Sequence, residues 1–367
     1  MPYAHITGWG MSVPKKVLTN DDLSKMVDTN DQWIREMTGI RERRIVVDGQ
    51  TTSSLAIEAA IEALKIANLV PTDLDLIICA TSTPDYFFPS TACIIQDRLG
   101  ASKAGAFDLL AACSGFVYGM NMGAQAIRSG AMKSVLVIGA ETLSRYVDWT
   151  DRSTCILFGD GAGAFVLQAS ETPGGVAAAV MRSDGSGADL LSIPGGGSVH
   201  PASEVTVRAG MHFIHMNGKE VFRFATRVIV QATNEAARAS GWHTADLDLI
   251  IPHQANYRII DAAARGLKLP MEKFMLNVER YGNTSAASIP IATVEAAQAG
   301  RLKAGDKVMF VGFGGGLTWG ALAAEWTGAM PIHRPVHPEW YRPWALARSV
   351  LLRLWRLIEA ILFGRDA

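Results

Sequence analysis

The sequence is poor in cysteine. Only Cys79, Cys93, Cys113 and Cys155 among 367 residues carry a thiol, and no two form a C-x-x-C pair. That argues against a disulfide framework or a zinc cage and fits a reducing, cytoplasmic setting. Net charge is equally scarce. Lys and Arg number 34 against 35 Asp and Glu, leaving −1, the balance of neither a nucleic-acid binder nor a disordered acidic chain. Long apolar runs are missing too. Although 49% of the residues are hydrophobic, Gly, Ser, Asp or Arg interrupts each run before the roughly 20 residues of a membrane span. The first residues lack the cationic patch and apolar stretch of an export signal, so export is disfavoured. Only the end is uneven: residues 331–367 hold six Arg and three acidic residues, making them +3 and the rest −4.

The chain repeats itself at an offset of 173 residues. Asp73–Ile78 and Asp246–Ile251 share the string DLDLII. The same offset carries Val135–Gly139 onto Val308–Gly312, Ala124–Ala126 onto Ala297–Ala299, Arg128 onto Arg301, and Glu62–Ala63 onto Glu235–Ala236. A constant register over separate segments marks a duplication rather than chance recurrence of common apolar strings. Each half reads as a helix rich in Ala and Glu, an apolar strand, a loop, a second helix and a second apolar strand. These are residues 52–68, 74–80, 113–129 and 134–140, then 217–240, 247–251, 284–300 and 307–313. Strands apolar on both faces that alternate with helices predict buried sheets of an α/β fold, and two such units about a pseudo-twofold axis predict five layers. The chain then divides into 1–173, 174–328 and an appendage, 329–367, with Thr172–Gly175 at the central boundary.

Differences between duplicated halves point to chemistry. The position equivalent to Cys113 is Ala286, and the one equivalent to His253 is Ala80. A reactive side chain stands in one half where an inert one stands in the other, at strand ends or helix starts, where α/β folds bind ligands. Cys113, flanked by Ala111, Ala112, Ser114 and Gly115, opens a helix whose dipole and free N–H groups favour a thiolate. The other three cysteines read as buried structural residues. His253 follows Pro252 at the end of the second DLDLII strand and can project into a cleft. Asn283 precedes the helix equivalent to that of Cys113; an N-cap is the plain reading, and donation of its amide into the cleft is the functional one. The glycines at Gly314–Gly316 bring bare backbone N–H groups toward an oxyanion. Gly159–Gly163 reads as a tight turn. His212 and His215 have metal-compatible spacing but no matching carboxylate cluster, so no metal site is expected.

Cys, His and Asn in that order on a duplicated frame resemble the thiolase superfamily. Asp31–Ile34, Thr38–Arg43, Phe88–Ser90, Ala112–Gly115, Phe158–Gly163, Pro252–Asn256, Gly282–Ser288 and Phe313–Gly320 resemble the signatures of the β-ketoacyl-acyl-carrier-protein synthase III family. The resemblance covers residues 3–326. It implies a thiolase-like five-layer αβαβα fold and a homodimer. It also implies a decarboxylative Claisen condensation of an acyl-CoA with malonyl-acyl carrier protein, without a cofactor, at the start of fatty acid synthesis. Cys113 would carry the acyl group, His253 and Asn283 would bind the malonyl thioester carbonyl, and the backbone N–H groups of Cys113 and Gly315 would form the oxyanion hole. Phe313 would pack beside the centre, and Phe88 would reach across the dimer to limit the acyl pocket. Trp33 and Arg152 would sandwich the CoA adenine. Gly218 and Asn256 would contact pantetheine, and Arg223, Arg258 and Arg265 would meet the acidic carrier protein. Met37 and Lys219 depart from the family's usual Arg and Asn. The alternatives are a specialised-pathway acyltransferase with the same triad, or a non-catalytic partner of a condensing enzyme.

The appendage lies beyond that resemblance. Pro331, Pro335, Pro338 and Pro343 make an extended connector, and Trp344–Phe363 predicts a helix. Arg348, Ser349, Arg353, Arg356 and Glu359 occupy an arc of about 140°, with an apolar arc from Leu346 to Leu362 opposite. Such a helix packs on the body or another subunit, docks a partner, or lies in a membrane surface through residues 344–363.

Overall fold

The computed structural model describes residues 1–329 and 335–362; Pro331 and Phe363 lie outside the described residues. Strands β1 (Tyr3–Ser12), β2 (Leu76–Ala80), β3 (Gly105–Leu109), β4 (Ser134–Thr142) and β5 (Asp160–Ser170) form one sheet in the order β1-β5-β4-β2-β3. Strands β6 (Gly175–Ser183), β7 (Leu249–Pro252), β8 (Lys307–Gly314) and β9 (Thr318–Glu325) form the other, in the order β6-β9-β8-β7. The duplication holds to single-residue register. In the first sheet Leu76 pairs with Val135 and Ile78 with Val137; in the second, Leu249 pairs with Val308 and Ile251 with Phe310, all in parallel strands. The segment Thr172–Gly174 passes from the last strand of the first sheet to the first strand of the second.

Helices α1 (Thr52–Ala67) and α2 (Thr91–Leu99) cover the outer face of the first sheet, and α4 (Gly218–Ala239) and α5 (Tyr257–Leu267) that of the second. Helices α3 (Gly115–Arg128) and α6 (Ser288–Gln298) lie between the sheets. The result is the five-layer αβαβα order. Local signals set the helix ends: the Thr51 hydroxyl caps α1 by accepting from the Ser54 N–H, and Asn68 closes it at φ 54°, a conformation Asn tolerates better than most residues. Phe116, Val117 and Met120 of α3 and Ile289 and Ala292 of α6 share one buried cluster with Phe165, Phe310 and Trp326 from both sheets. Phe116 meets Phe165 edge-on at 5.0 Å. Truncating such a ring to Ala costs about 3–5 kcal/mol, so this seam is a main source of cohesion between the halves.

Two equivalent glycines let the central turns approach the sheets. A Cβ on Gly139 would stand 2.2 Å from the Ala286 carbonyl oxygen, and one on Gly312 would stand 3.0 Å from the Ser114 Cα. The halves diverge in the connection after these strands. Residues 143–159 form a long excursion between β4 and β5, whereas Gly315–Leu317 alone joins β8 to β9. Gly159–Gly163 is therefore not a tight turn: Asp160 already starts β5.

Helix α7 (Tyr341–Leu362) packs along α2. It does so on the small-residue side, where Ala345 and Ser349 are buried. The apolar arc points away: Leu346, Leu351, Leu354, Trp355, Leu357 and Ile361 are all exposed. Among the described residues, no helix is long and apolar enough to cross a membrane.

Candidate active site

The two inner helices begin with matching strained turns, and the reactive groups sit on them. Ala112 has φ 44° and the equivalent Ser285 has φ 47°, left-handed values that cost a non-glycine residue roughly 1–2 kcal/mol. The first turn aims Cys113 into the space between the sheets; the second follows Asn283. A Cβ on Gly314 would lie 2.8 Å from the Cys113 nitrogen and 3.2 Å from its Sγ. Only glycine lets the end of β8 lie against the nucleophile.

Cys113, His253, Asn283 and Phe313 line one cavity, together with Gly218, Phe222 and Asn256. His253 is buried, and its Nδ1 lies 2.6 Å from the Ser288 hydroxyl. Burial pushes its imidazole down to about 3, so the ring is neutral at physiological pH. Phe313 meets that ring edge-on at 5.1 Å and shields it. The next residue, Gln254, braces the loop: its amide donates to the carbonyls of Pro252 and Met275 and accepts from the Asn277 N–H. The Asn283 backbone is clamped by the long excursion of the other half, donating to the Leu157 carbonyl at 2.8 Å and accepting from the Gly159 N–H at 3.0 Å. Its side-chain oxygen accepts from the Ser285 N–H at 2.8 Å. The oxygen is thereby occupied, and the NH2 donor remains for the cavity.

The thiol differs from the sequence expectation. Burial pushes Cys113 up to about 12, against a lowering contribution from the Ser285 hydroxyl. Enclosure outweighs the helix terminus, so Cys113 is held as a thiol and not a thiolate. Cys93 also departs from expectation: it is exposed on α2, while Cys79 and Cys155 are buried.

A second cavity, about 470 Å³, also reaches Cys113 and shares only Phe158 and Leu191 with the first besides. Leu143, Leu191, Ile193 and Ile214 make it apolar, with Ser285 and Gly315 also in its wall. The nucleophile thus stands between two chambers, one holding His253 and Asn283 and one suited to a hydrocarbon chain. Phe88 lines neither. It is 82% exposed beside a similarly exposed Phe87.

The outer residues divide. The Arg152 guanidinium lies 4.7 Å from the Trp33 ring centroid and pairs with Asp28, so the two side chains touch directly and would have to part to admit a base between them. Asn256 caps α5 by accepting from the Arg258 N–H and donates its amide to the Met37 carbonyl. Arg258 lies 5.6 Å from the Phe222 ring. Arg223 pairs with Glu220 and Arg265 with Asp261, each along its own helix, which is the geometry of solvated surface pairs. His212 is hydrogen-bonded to the Thr206 hydroxyl and His215 to the Gly210 carbonyl.

Comparison with known proteins shows the family. The family model described as 3-Oxoacyl-[acyl-carrier-protein (ACP)] synthase III matches residues 107–185, and the model of its C terminal matches residues 237–326. The chain is 54% identical over 322 residues to the Beta-ketoacyl-[acyl-carrier-protein] synthase III of Desulfitobacterium hafniense (strain DSM 10664 / DCB-2), covering 88% of this chain and 97% of that one. The enzyme of the same name from Roseiflexus sp. (strain RS-1) is 50% identical over 325 residues, 89% of this chain and 99% of the relative. Among solved structures, the 3-oxoacyl-[acyl-carrier-protein] synthase III of Aquifex aeolicus VF5 superposes with a TM-score of 0.82 at 48% identity, covering 88% of this chain and 100% of that one. The chain belongs to the 3-oxoacyl-acyl-carrier-protein synthase III family.

Proposed function

We propose that Cys113, His253 and Asn283 carry out a decarboxylative Claisen condensation between an acyl-CoA and malonyl-acyl carrier protein, the initiating step of fatty acid synthesis. The observation that carries this reading is the single Cys113 standing between an apolar chamber and a chamber holding His253 and Asn283. Neutral His253 takes the thiol proton as Sγ attacks the acyl-CoA carbonyl; CoA thiolate leaves with that proton, and the acyl chain rests in the apolar chamber. Malonyl-acyl carrier protein follows. Its thioester carbonyl accepts from His253 and the Asn283 amide, so the negative charge left by departing CO2 is stabilised as it forms. The carbanion attacks the acyl-cysteine, and the backbone N–H groups of Cys113 and Gly315 hold the tetrahedral oxyanion until the Cys113 thiolate leaves and takes a proton from solvent to restore the thiol. The Ser288 hydroxyl can accept from an Nδ1–H or donate to a bare Nδ1, so it serves both stages. No step calls for a cofactor. Trp33 and Arg152 grip the adenine, Gly218 and Asn256 guide pantetheine, and Arg223, Arg258 and Arg265 face the carrier protein.

The protein acts as a homodimer in this reading, because β3 is a sheet edge with Phe107 and Leu110 exposed on and just after it, and Phe88 is exposed as well, apolar groups that a second copy would cover. The test of the chemistry is CO2 release from malonyl-acyl carrier protein with acyl-CoAs of graded length; release with none would overturn it.

In the same reading the protein is cytoplasmic and touches a membrane surface through residues 344–363. The apolar arc of α7 faces away from the body, while Arg348, Arg353 and Arg356 lie on the other arc, the pattern of a helix lying in an anionic lipid surface. Flotation with anionic vesicles, lost on truncation after Gly328, is the expected result. Equal flotation of both forms would remove this element, and a smaller assembly on truncation would assign the arc to a second copy.

A further inference from the structure

Glu141, at the end of β4, is a fully buried carboxylate with no cation beside it among the described residues. An unpaired buried charge is costly unless donors surround it, and here they do. The Ser82 N–H lies 3.1 Å from both oxygens, the Thr83 hydroxyl donates at 2.8 Å and the Ser285 hydroxyl at 3.0 Å. The Ala286 N–H faces the same group.

The duplication gives this cluster a meaning. Ala286 is the equivalent of Cys113, Glu141 that of Gly314, and Thr142 that of Gly315. The two backbone donors proposed for the oxyanion hole therefore have counterparts in the Ala286 and Thr142 N–H groups. Both counterparts are occupied: the first faces Glu141, and the second donates to the Thr83 hydroxyl oxygen at 2.8 Å. In the half with the nucleophile the hole is left for substrate; in the other half the Glu141 carboxyl group and the Thr83 hydroxyl fill it. The turn so filled leads to both partners of Cys113. Ser285 N–H holds the Asn283 side chain, and three residues on, Ser288 holds His253.

We infer that Glu141 is a positioning residue of the condensation step: its carboxyl group, with the Thr83 hydroxyl that donates to it, plugs the duplicate oxyanion hole and, through Ser285, fixes Asn283 and the Ser288–His253 pair against Cys113. This rests on the condensing role proposed above. The same charge acts on the nucleophile, since Glu141 opposes ionisation of Cys113. Among the described residues, the titratable groups shifted by Glu141 are Cys79, Cys113 and Tyr146, none of them a cation. Burial raises Glu141 itself to about 7.

The test is Glu141→Gln, with Glu141→Asp and Ser285→Ala beside it. An amide accepts through one oxygen only, so its NH2 is set against the backbone N–H of Ser82 or of Ala286 and the turn must shift. Displacement near 1 Å costs about 10²-fold in rate. The expected result is a loss on that order in condensation for Glu141→Gln and Ser285→Ala, a smaller loss in acylation of Cys113, partial rescue by Glu141→Asp, and a KM for acyl-CoA changed by no more than about threefold. Removing the charge should also move the iodoacetamide alkylation profile of Cys113 to lower pH in Glu141→Gln. Alkylation requires no turnover, so it tests Glu141 even if the wild type makes no product. Condensation within about threefold of wild type in both Glu141→Gln and Ser285→Ala, or equal losses in both stages with an unmoved alkylation profile, would overturn the assignment.

Discussion

Replacing Ser288 by alanine isolates the support of the catalytic imidazole from the imidazole itself. The hydroxyl lies 2.6 Å from His253 Nδ1 and 3.3 Å from the Gln254 N–H; the substitution removes one Oγ and leaves both groups buried without that partner. The penalty for a buried polar group so stranded is about 1–3 kcal/mol. If it falls on the transition state of decarboxylation, the rate drops about 5- to 150-fold. The drop should appear in kcat with little change in KM for acyl-CoA, because Ser288 does not line the cavity. The assay is stopped-flow or quenched CO2 release by enzyme already acylated on Cys113. A rate within about twofold of wild type would refute the reasoning, because an imidazole indifferent to its Nδ1 partner cannot depend on a held tautomer.

Other consequences can be checked more briefly. Gly314→Ala places a Cβ 2.8 Å from the Cys113 nitrogen, so acylation should be abolished and stability should fall by about 1–3 kcal/mol in a denaturant titration. Arg152→Ala removes the cation above Trp33 at 4.7 Å; the KM for acyl-CoA should rise severalfold, by about 0.5–1 kcal/mol at an exposed site, with kcat unchanged. Glu141 has a folded pKa raised from 4.5 to about 7, so its contribution to stability is fully present below 4.5 and declines as pH rises through 7. The melting temperature of Glu141→Gln relative to wild type should therefore climb between those values. His253, lowered from 6.5 to about 3, has the opposite sign and loses stability as pH falls through that window in both proteins.

What the sequence made legible followed from its duplication. A constant offset exposed two equivalent strand-helix frames, and subtracting one from the other picked out Cys113 and His253 against Ala286 and Ala80. The supporting shell was not legible, because its meaning lies in contacts between distant residues: Ser288 reaches His253 across 35 positions and Ser285 reaches Glu141 across 144. A small polar residue at a helix start reads as a cap until its partner is known. The same offset could have flagged Glu141, since its equivalent is Gly314 and a buried acid opposite a glycine is an asymmetry of the same kind. The thiol's protonation was missed for another reason: a helix terminus is visible in sequence, but the enclosure that outweighs it is a tertiary property. For α7 the amphipathic pattern was plain, yet which arc meets the body was set by Ala345 and Ser349 fitting against α2.

The central claim is that Cys113 carries the acyl group between two half-reactions. Intact-mass measurement after mixing the protein with an acyl-CoA, and again after adding malonyl-acyl carrier protein, tests it in one experiment. The account predicts one acyl adduct, absent from Cys113→Ala, that disappears on the second addition as CO2 and a 3-oxoacyl-acyl carrier protein form. An adduct that survives in Cys113→Ala, or one that persists after malonyl-acyl carrier protein is added, would contradict it.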